Sequence, residues 1–328
     1  MNQDEFAPQT AFGFPSLSQP DVYDVAIIGG GPAGMSSALV LARCRRKVLV
    51  VDAGEPRNRF SLAMHGFLSR EGMPPLQFSR LCREELLRYP TVTWKDGRVV
   101  DVIRTPENCF VTVMNDGINY LSRKMLLATG VIDEIPQIPG IEQFYGISVH
   151  HCPYCDGYEW RDKRIVVYGK CDVGFCSVQE LTAWSRNLVL CTDGPCEIDD
   201  GRLQYLDGLR IAVRQECIAR LEGEGGHLQR IVFVNGDVLE CDALFFVTGQ
   251  HLAHKLAEKL GCTITEKGCV WTGDCEQTEV EGLYCAGDAS RNAQMVIIAA
   301  AEGAQAAVAI NISLTGQYKE AKKKQLSP

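Results

Sequence analysis

Residues 29–34 read Gly-Gly-Gly-Pro-Ala-Gly, placed between an apolar run at 22–28 and a helical pattern at 35–43. A second apolar run, 48–51, ends at Asp52. This order restricts the chain to a strand, a tight turn, a helix and a second strand, the βαβ unit that binds dinucleotides. Gly29 permits the turn, Gly31 lets backbone approach a pyrophosphate, and Gly34 allows close packing of helix on strand. Pro32 and Ala33 complete the turn. The helix N-terminus offers free N–H groups and a positive dipole to phosphates. Asp52 can accept a hydrogen bond from a ribose hydroxyl.

The pattern returns further on. Residues 125–130, Met-Leu-Leu-Ala-Thr-Gly, read as a strand ending in Thr-Gly, and 245–249, Phe-Phe-Val-Thr-Gly, repeat it. Between them, 164–168 form an apolar strand leading into a second glycine-containing turn, 169–174, and a helix. The expected fold is α/β, with two Rossmann-like domains, the smaller inserted into the larger. The first domain takes residues 22–135 and 250–328, the inserted one 136–249, with linkers at 136–140 and 248–252. Residues 1–21 are expected to be an extension, and 299–309 a helix of small residues.

At 328 residues the chain has room for two cores. Its net charge of −8 offers no general attraction for nucleic acid or anionic membranes. The basic run at 322–324 reads as a solvated helix end. No stretch reads as a membrane span, and the first twenty residues, with Asp4 and Glu5, lack a signal-peptide core. Fifteen cysteines, an odd number widely scattered, point to a reducing compartment, and the cytoplasm is expected.

Two of those cysteines stand apart from the rest. Cys152-Pro-Tyr-Cys155-Asp156-Gly forms a C-x-x-C followed by an acid. A structural metal needs two further ligands, and no second C-x-x-C supplies them, so no metal is expected. A permanent staple closing so short a loop stabilises little. Redox exchange explains more: proline after Cys152 suits a first helical turn, so Cys152 would cap a helix whose dipole favours its thiolate.

The motifs at 29–34, 128–130, 152–157 and 282–288 (Gly-Leu-Tyr-Cys-Ala-Gly-Asp) together resemble the low-molecular-weight thioredoxin reductases. The stretch 55–72 is similar to an atypical branch, which includes pyridine-nucleotide-independent reductases and FAD-dependent dithiol oxidases. The resemblance implies FAD and a homodimer. It assigns Gly29, Gly31, Pro32, Ala33, Gly34 and Asp52 to the adenosine diphosphate end. Ala128, Thr129 and Gly130 would close the strand end, with Gly287 and Asp288 crossing near the flavin. Cys155 would face the flavin, Cys152 would exchange with substrate, and Asp156 would serve as acid–base group. The partner would be thioredoxin or another disulfide or dithiol, and a small redox protein is a possible donor. Of the neighbours, His65 and His151 are candidates for assisting roles, and Tyr158 and Trp160 for packing. Gln294 stands one position away from the family's glutamine.

The inserted domain departs from the family pattern. Cys171 occupies the position of the glycine that admits a pyrophosphate, and Thr192-Asp193 stands where an arginine would meet a 2′-phosphate. NADPH is therefore not expected, while Asp193 keeps a ribose contact to NADH open. Electron flow toward thioredoxin, or from a dithiol to oxygen, both remain compatible with these residues, as does a non-catalytic flavin-binding module.

Overall fold

The computed structural model describes residues 22–316. The extension at 1–21 and the basic run at 322–324 lie outside the described residues.

The chain opens with β1 (Tyr23–Ile28), α1 (Pro32–Arg43) and β2 (Val48–Asp52). β1 and β2 pair in parallel and are buried along nearly their whole length, as strands covered on both faces must be. Pro32 opens α1, where its missing N–H costs nothing. Ala33, Gly34, Ala38, Leu41 and Ala42 turn inward. After α2 (Pro75–Leu86) and the parallel strand β3 (Val92–Asp96), an antiparallel meander follows: β4 (Val99–Arg104), β5 (Phe110–Met114) and β6 (Asn119–Leu127). β6 also pairs in parallel with β1, so the sheet runs β3-β2-β1-β6-β5-β4.

The chain leaves this sheet through the short strand β7 (Val131–Asp133). It then forms β8 (Val149–His150), α3 (Pro153–Asp156), β9 (Ile165–Tyr168), α4 (Cys171–Leu181), β10 (Leu188–Cys191), α5 (Asp200–Gly208) and β11 (Ala212–Arg214). Strands β12 (Ile218–Glu224), β13 (His227–Phe233) and β14 (Val238–Glu240) make a separate antiparallel sheet. β15 (Ala243–Phe246) returns to complete a parallel sheet of order β11-β10-β9-β15-β8. The way back is β16 (Gln250–Leu252), antiparallel to β7, with Gln250 opposite Asp133. Beyond it come α6 (Leu256–Lys259), β17 (Leu283–Cys285), which pairs with β6, and α7 (Val296–Leu314).

Two expectations change. Residues 136–140 are no free linker, because Leu221 N–H donates to Pro139 O at 3.0 Å and ties this stretch to β12. The crossing itself is the β7–β16 pair. The small-residue helix is also longer than 299–309: α7 spans 19 residues, enough by length and composition to cross a bilayer. Reading the sequence alone missed this. In the fold, α7 packs on α1 so closely that a Cβ on Gly303 would stand 1.9 Å from Ala33 O. Its Glu302 is buried and accepts from Gly287 N–H at 2.8 Å.

Candidate active site

A cleft of about 660 Å³ runs from the α1 turn to the C-x-x-C motif. At one end lie Gly29, Gly31, Pro32, Ala33 and Asp52, and beside them Ala128, Thr129 and Gly130 at the end of β6. Gly287 and Asp288 form another wall. Cys155 and Asp156 line the far end, whereas Cys152 and Gly34 do not reach the cleft. Gly34 is instead spent on packing: a Cβ there would meet Gly29 O at 1.9 Å. Asp52 Oδ1 accepts from Gly30 N–H at 3.0 Å, which braces the turn from the strand behind it.

Cys152 and Cys155 are joined by a disulfide, with Cα atoms 5.3 Å apart. Cys152 does stand at the start of a helix, but α3 has only four residues. One turn aligns too few peptide groups for the expected dipole effect. What Cys152 contributes to the turn is its carbonyl, which accepts from the N–H groups of Cys155 and Asp156, both at 3.2 Å.

Asp156 is oriented from behind by a residue the sequence did not single out. Trp160 Nε1–H donates to His150 Nε2 at 2.9 Å. A neutral imidazole must then carry its proton on Nδ1, and that nitrogen lies 3.4 Å from Asp156 Oδ1. His150 is 4 % exposed, so its tautomer is held by protein rather than by water. Trp160 packs as expected. Tyr158 does not: it is 64 % exposed, with the Arg161 guanidinium over its ring, because the turn after α3 directs it outward.

The middle of the cleft is organised by Arg57. Its Nε and Nη2 donate to the two oxygens of Asp133 at 2.9 and 2.5 Å. Nη2 also donates to Gln250 Oε1 at 2.9 Å, and Nη1 to Asp288 Oδ2 and Gln294 Oε1 at 2.8 and 2.6 Å. All five guanidinium N–H donors are thereby used. Burial would lower the Arg57 pKa, but Asp133 and Asp288 raise it beyond its ordinary value. Burial would likewise push the Asp133 carboxyl up, yet Arg57, with His151 and Tyr145, holds it below the usual range. Tyr145 OH donates to Asp133 at 3.2 Å and lies 3.4 Å from His151 Nδ1. Burial lowers the His151 pKa against the pull of Asp133, so this imidazole is neutral at pH 7. His65 sits at the cleft rim, 2.6 Å from Glu71 and 3.7 Å from Glu159 beside α3.

The second turn differs where the sequence differs. Gly174 still packs on the strand side, its Cβ position 2.4 Å from Gly169 O. The Cys171 N–H, however, donates to Cys196 Sγ at 2.7 Å. Asp193 does not present its charge to a ligand as expected. It faces inward, accepting from Tyr168 OH at 3.1 Å and from Ile218 N–H at 2.7 Å, and Thr192 is buried.

Comparison with known proteins accords with this arrangement. The model of the pyridine nucleotide-disulphide oxidoreductase family matches residues 23–305. A thioredoxin reductase of Claviceps purpurea, tcpT, is 30% identical over 288 residues, which cover 83% of this chain and 88% of that protein. A probable thioredoxin reductase of Arthroderma benhamiae is 32% identical over 185 residues, 55% of this chain but only 46% of that protein's length. Among solved structures, TrxB from Bacillus anthracis superposes with a TM-score of 0.86 at 34% identity, covering 90% of this chain and 99% of its own.

Proposed function

The chain belongs to the pyridine nucleotide-disulphide oxidoreductase family, among its thioredoxin reductase-like members, and from that premise we propose that it reduces a protein or small-molecule disulfide through Cys152 and Cys155 without drawing on NADPH. Members of this family are FAD-dependent disulfide oxidoreductases. The cleft fits FAD: a Cβ on Gly31 would meet nothing within 4 Å, leaving the α1 N-terminus open to a pyrophosphate. Asp52 and Asp288 are the acids suited to its sugar and ribityl hydroxyls. When bound, FAD would supply a two-electron couple to the Cys152–Cys155 pair.

The observation that carries the reading is the division of the two cysteines. Cys155 and Asp156 line the cofactor cleft, whereas Cys152 lies outside it. In the reduced enzyme the Cys152 thiolate attacks a substrate disulfide, breaking its S–S bond, forming a mixed disulfide and releasing the first substrate thiolate, which takes a proton from solvent. The Cys155 thiolate then attacks Cys152 Sγ and expels the second substrate thiolate, which takes its proton from Asp156. His150 holds Asp156 in position for that transfer. The substrate disulfide is reduced to two thiols, and the Cys152–Cys155 disulfide closes.

Independence from NADPH is supported by the second turn, where the Cys171 N–H is already engaged by Cys196. The donor is then a small redox protein, and thioredoxin or a similar disulfide the acceptor. A homodimer in a reducing compartment completes the proposal. It is supported by Ile297, Val308 and Ile312, which α7 leaves exposed, and by thirteen free thiols.

The test is anaerobic reduction of the bound flavin by NADPH, NADH, a small dithiol and reduced thioredoxin in turn, followed by admission of oxygen. Bleaching by reduced thioredoxin or the dithiol, but by neither nucleotide, is expected. Rapid bleaching by NADPH overturns the nucleotide-independent reading. Fast multiple turnovers of dithiol with oxygen would assign an oxidase direction instead.

A further inference from the structure

Away from the cleft, the second turn brings together two thiols that no C-x-x-C spacing announces. Cys171 begins α4 with a φ of 46°, a left-handed backbone unusual for a residue with a side chain. Its N–H donates to the sulfur of Cys196, which comes from the loop after β10. Burial, together with its neighbour Cys171, holds the Cys196 thiol above its usual pKa. Both residues remain partly exposed. Other neighbouring thiols lack that access: Cys191 and Cys241 lie in the core, where burial pushes both up to about 12.

We propose that Cys171 and Cys196 form a second dithiol–disulfide couple, oxidised by exchange with a low-molecular-weight disulfide such as oxidised glutathione. Cys171 takes the first step, because the Cys196 sulfur is already engaged by the Cys171 N–H. The Cys171 thiolate attacks one sulfur of the small disulfide, whose S–S bond breaks. A mixed disulfide forms on Cys171, and one small thiolate leaves and takes up a proton from solvent. Cys196 then loses its proton to solvent and attacks the Cys171 sulfur, releasing the second small thiol. Two protein thiols are oxidised and one small disulfide is reduced to two thiols. The bond fastens the loop after β10 across the first turn of α4, over the N–H group that a phosphate would need. This couple is independent of the Cys152–Cys155 chemistry.

The experiment starts from the full chain, reduced and freed of reductant, then treated with oxidised glutathione, alkylated and digested with trypsin. Cleavage after Lys170, Arg186 and Arg202 separates Cys171 from Cys196, but leaves Cys176 and Cys191 beside them. A Cys176→Ser/Cys191→Ser background therefore makes the assignment unambiguous. The expected product is a single species linking residues 171–186 to 187–202, which falls apart on reduction. In Cys196→Ser, Cys171 should instead accumulate as a glutathione mixed disulfide. Full alkylation of both cysteines, under conditions that oxidise Cys152–Cys155, overturns the proposal. Separate mixed disulfides on Cys171 and Cys196 without a link overturn it equally. A 171–196 link without oxidation of Cys152–Cys155 would support this couple and count against the proposed function.

Discussion

An alanine at position 31 asks whether the open face above α1 belongs to a ligand. Gly31 has φ −74° and ψ −177°, extended backbone that any residue adopts, and its Cβ would touch no protein atom within 4 Å. Alanine caps a helix less well than glycine, by up to about 1 kcal/mol. Against this, it stiffens the unfolded chain by about 0.4–1 kcal/mol. The unfolding free energy of the apoprotein should therefore stay within about 1 kcal/mol of wild type. The methyl group would instead stand where a pyrophosphate approaches the helix. Losing one charged hydrogen bond of about 1.5–3 kcal/mol weakens FAD binding roughly ten- to a hundredfold. Gly303→Ala is the contrasting variant. Its Cβ would lie 1.9 Å from Ala33 O, where real contacts stay beyond 3.0 Å, so α7 must move by at least about 1.1 Å (3.0 − 1.9). Overpacking of that kind costs about 1–3 kcal/mol, and should lower apoprotein stability and FAD affinity together. Urea unfolding of the apoproteins and fluorescence titration with FAD separate the two patterns. If Gly31→Ala binds FAD as tightly as wild type, or unfolds as readily as Gly303→Ala, the assignment of that face is wrong.

Other outcomes follow from the same geometry. Cys152→Ser should leave Cys155 free on the cleft wall and strengthen the long-wavelength thiolate–flavin absorbance, whereas Cys155→Ser should abolish it; equal spectra would contradict the division of roles. Trp160→Phe removes the donor that fixes the His150 tautomer, so disulfide reduction should slow about tenfold, equivalent to one ordinary hydrogen bond of about 1.4 kcal/mol. The pH–rate profile should move with it, and an unchanged profile would make His150 a packing residue only. Arg57→Met leaves Asp133, 6 % exposed, without its cation and should destabilise the fold by about 3–5 kcal/mol. In an Asp133→Asn background the same change should cost much less, which a double-mutant cycle in urea would show. Because the folded protein keeps His151 neutral below its ordinary pKa of 6.5, the unfolded chain binds that proton first, and stability should fall as pH drops below about 6.5. His151→Gln should flatten that part of the stability curve.

What could be read in advance was local. The strand–turn–helix at 29–34 declares itself because the whole unit lies within thirty consecutive residues, with Gly34 packed on Gly29 O, and C-x-x-C spacing fits one helical turn. The organisation of the cleft is not local. Arg57 finds its partners 76, 193, 231 and 237 positions along the chain, so no window of sequence contains the pattern. No motif marks His150, because its importance comes from Trp160 and Asp156 on either side of its ring. The inward turn of Asp193 depends on Ile218 and Tyr168, which a reading by position alone could not supply. Cys171 shows itself as an intruder in a glycine's place, but its partner Cys196 lies 25 residues on, a distance that carries no motif.

The antiparallel pair β7 and β16 gives the molecule a narrow doorway. Asp133 and Gln250 face each other across it, so the chain departs and comes home at points about 5 Å apart. Everything from 134 to 249 hangs from that doorway as a loop hangs from a hairpin, and the register of the larger sheet is indifferent to what the loop contains. A two-residue turn joining Asp133 to Gln250 would close the host without lengthening or shortening any of its strands. Such a junction lets the inserted unit vary at its outer edge: it can lose a nucleotide-type turn, or acquire a new pair of thiols, while Cys155 and Asp156 keep their places in the cleft.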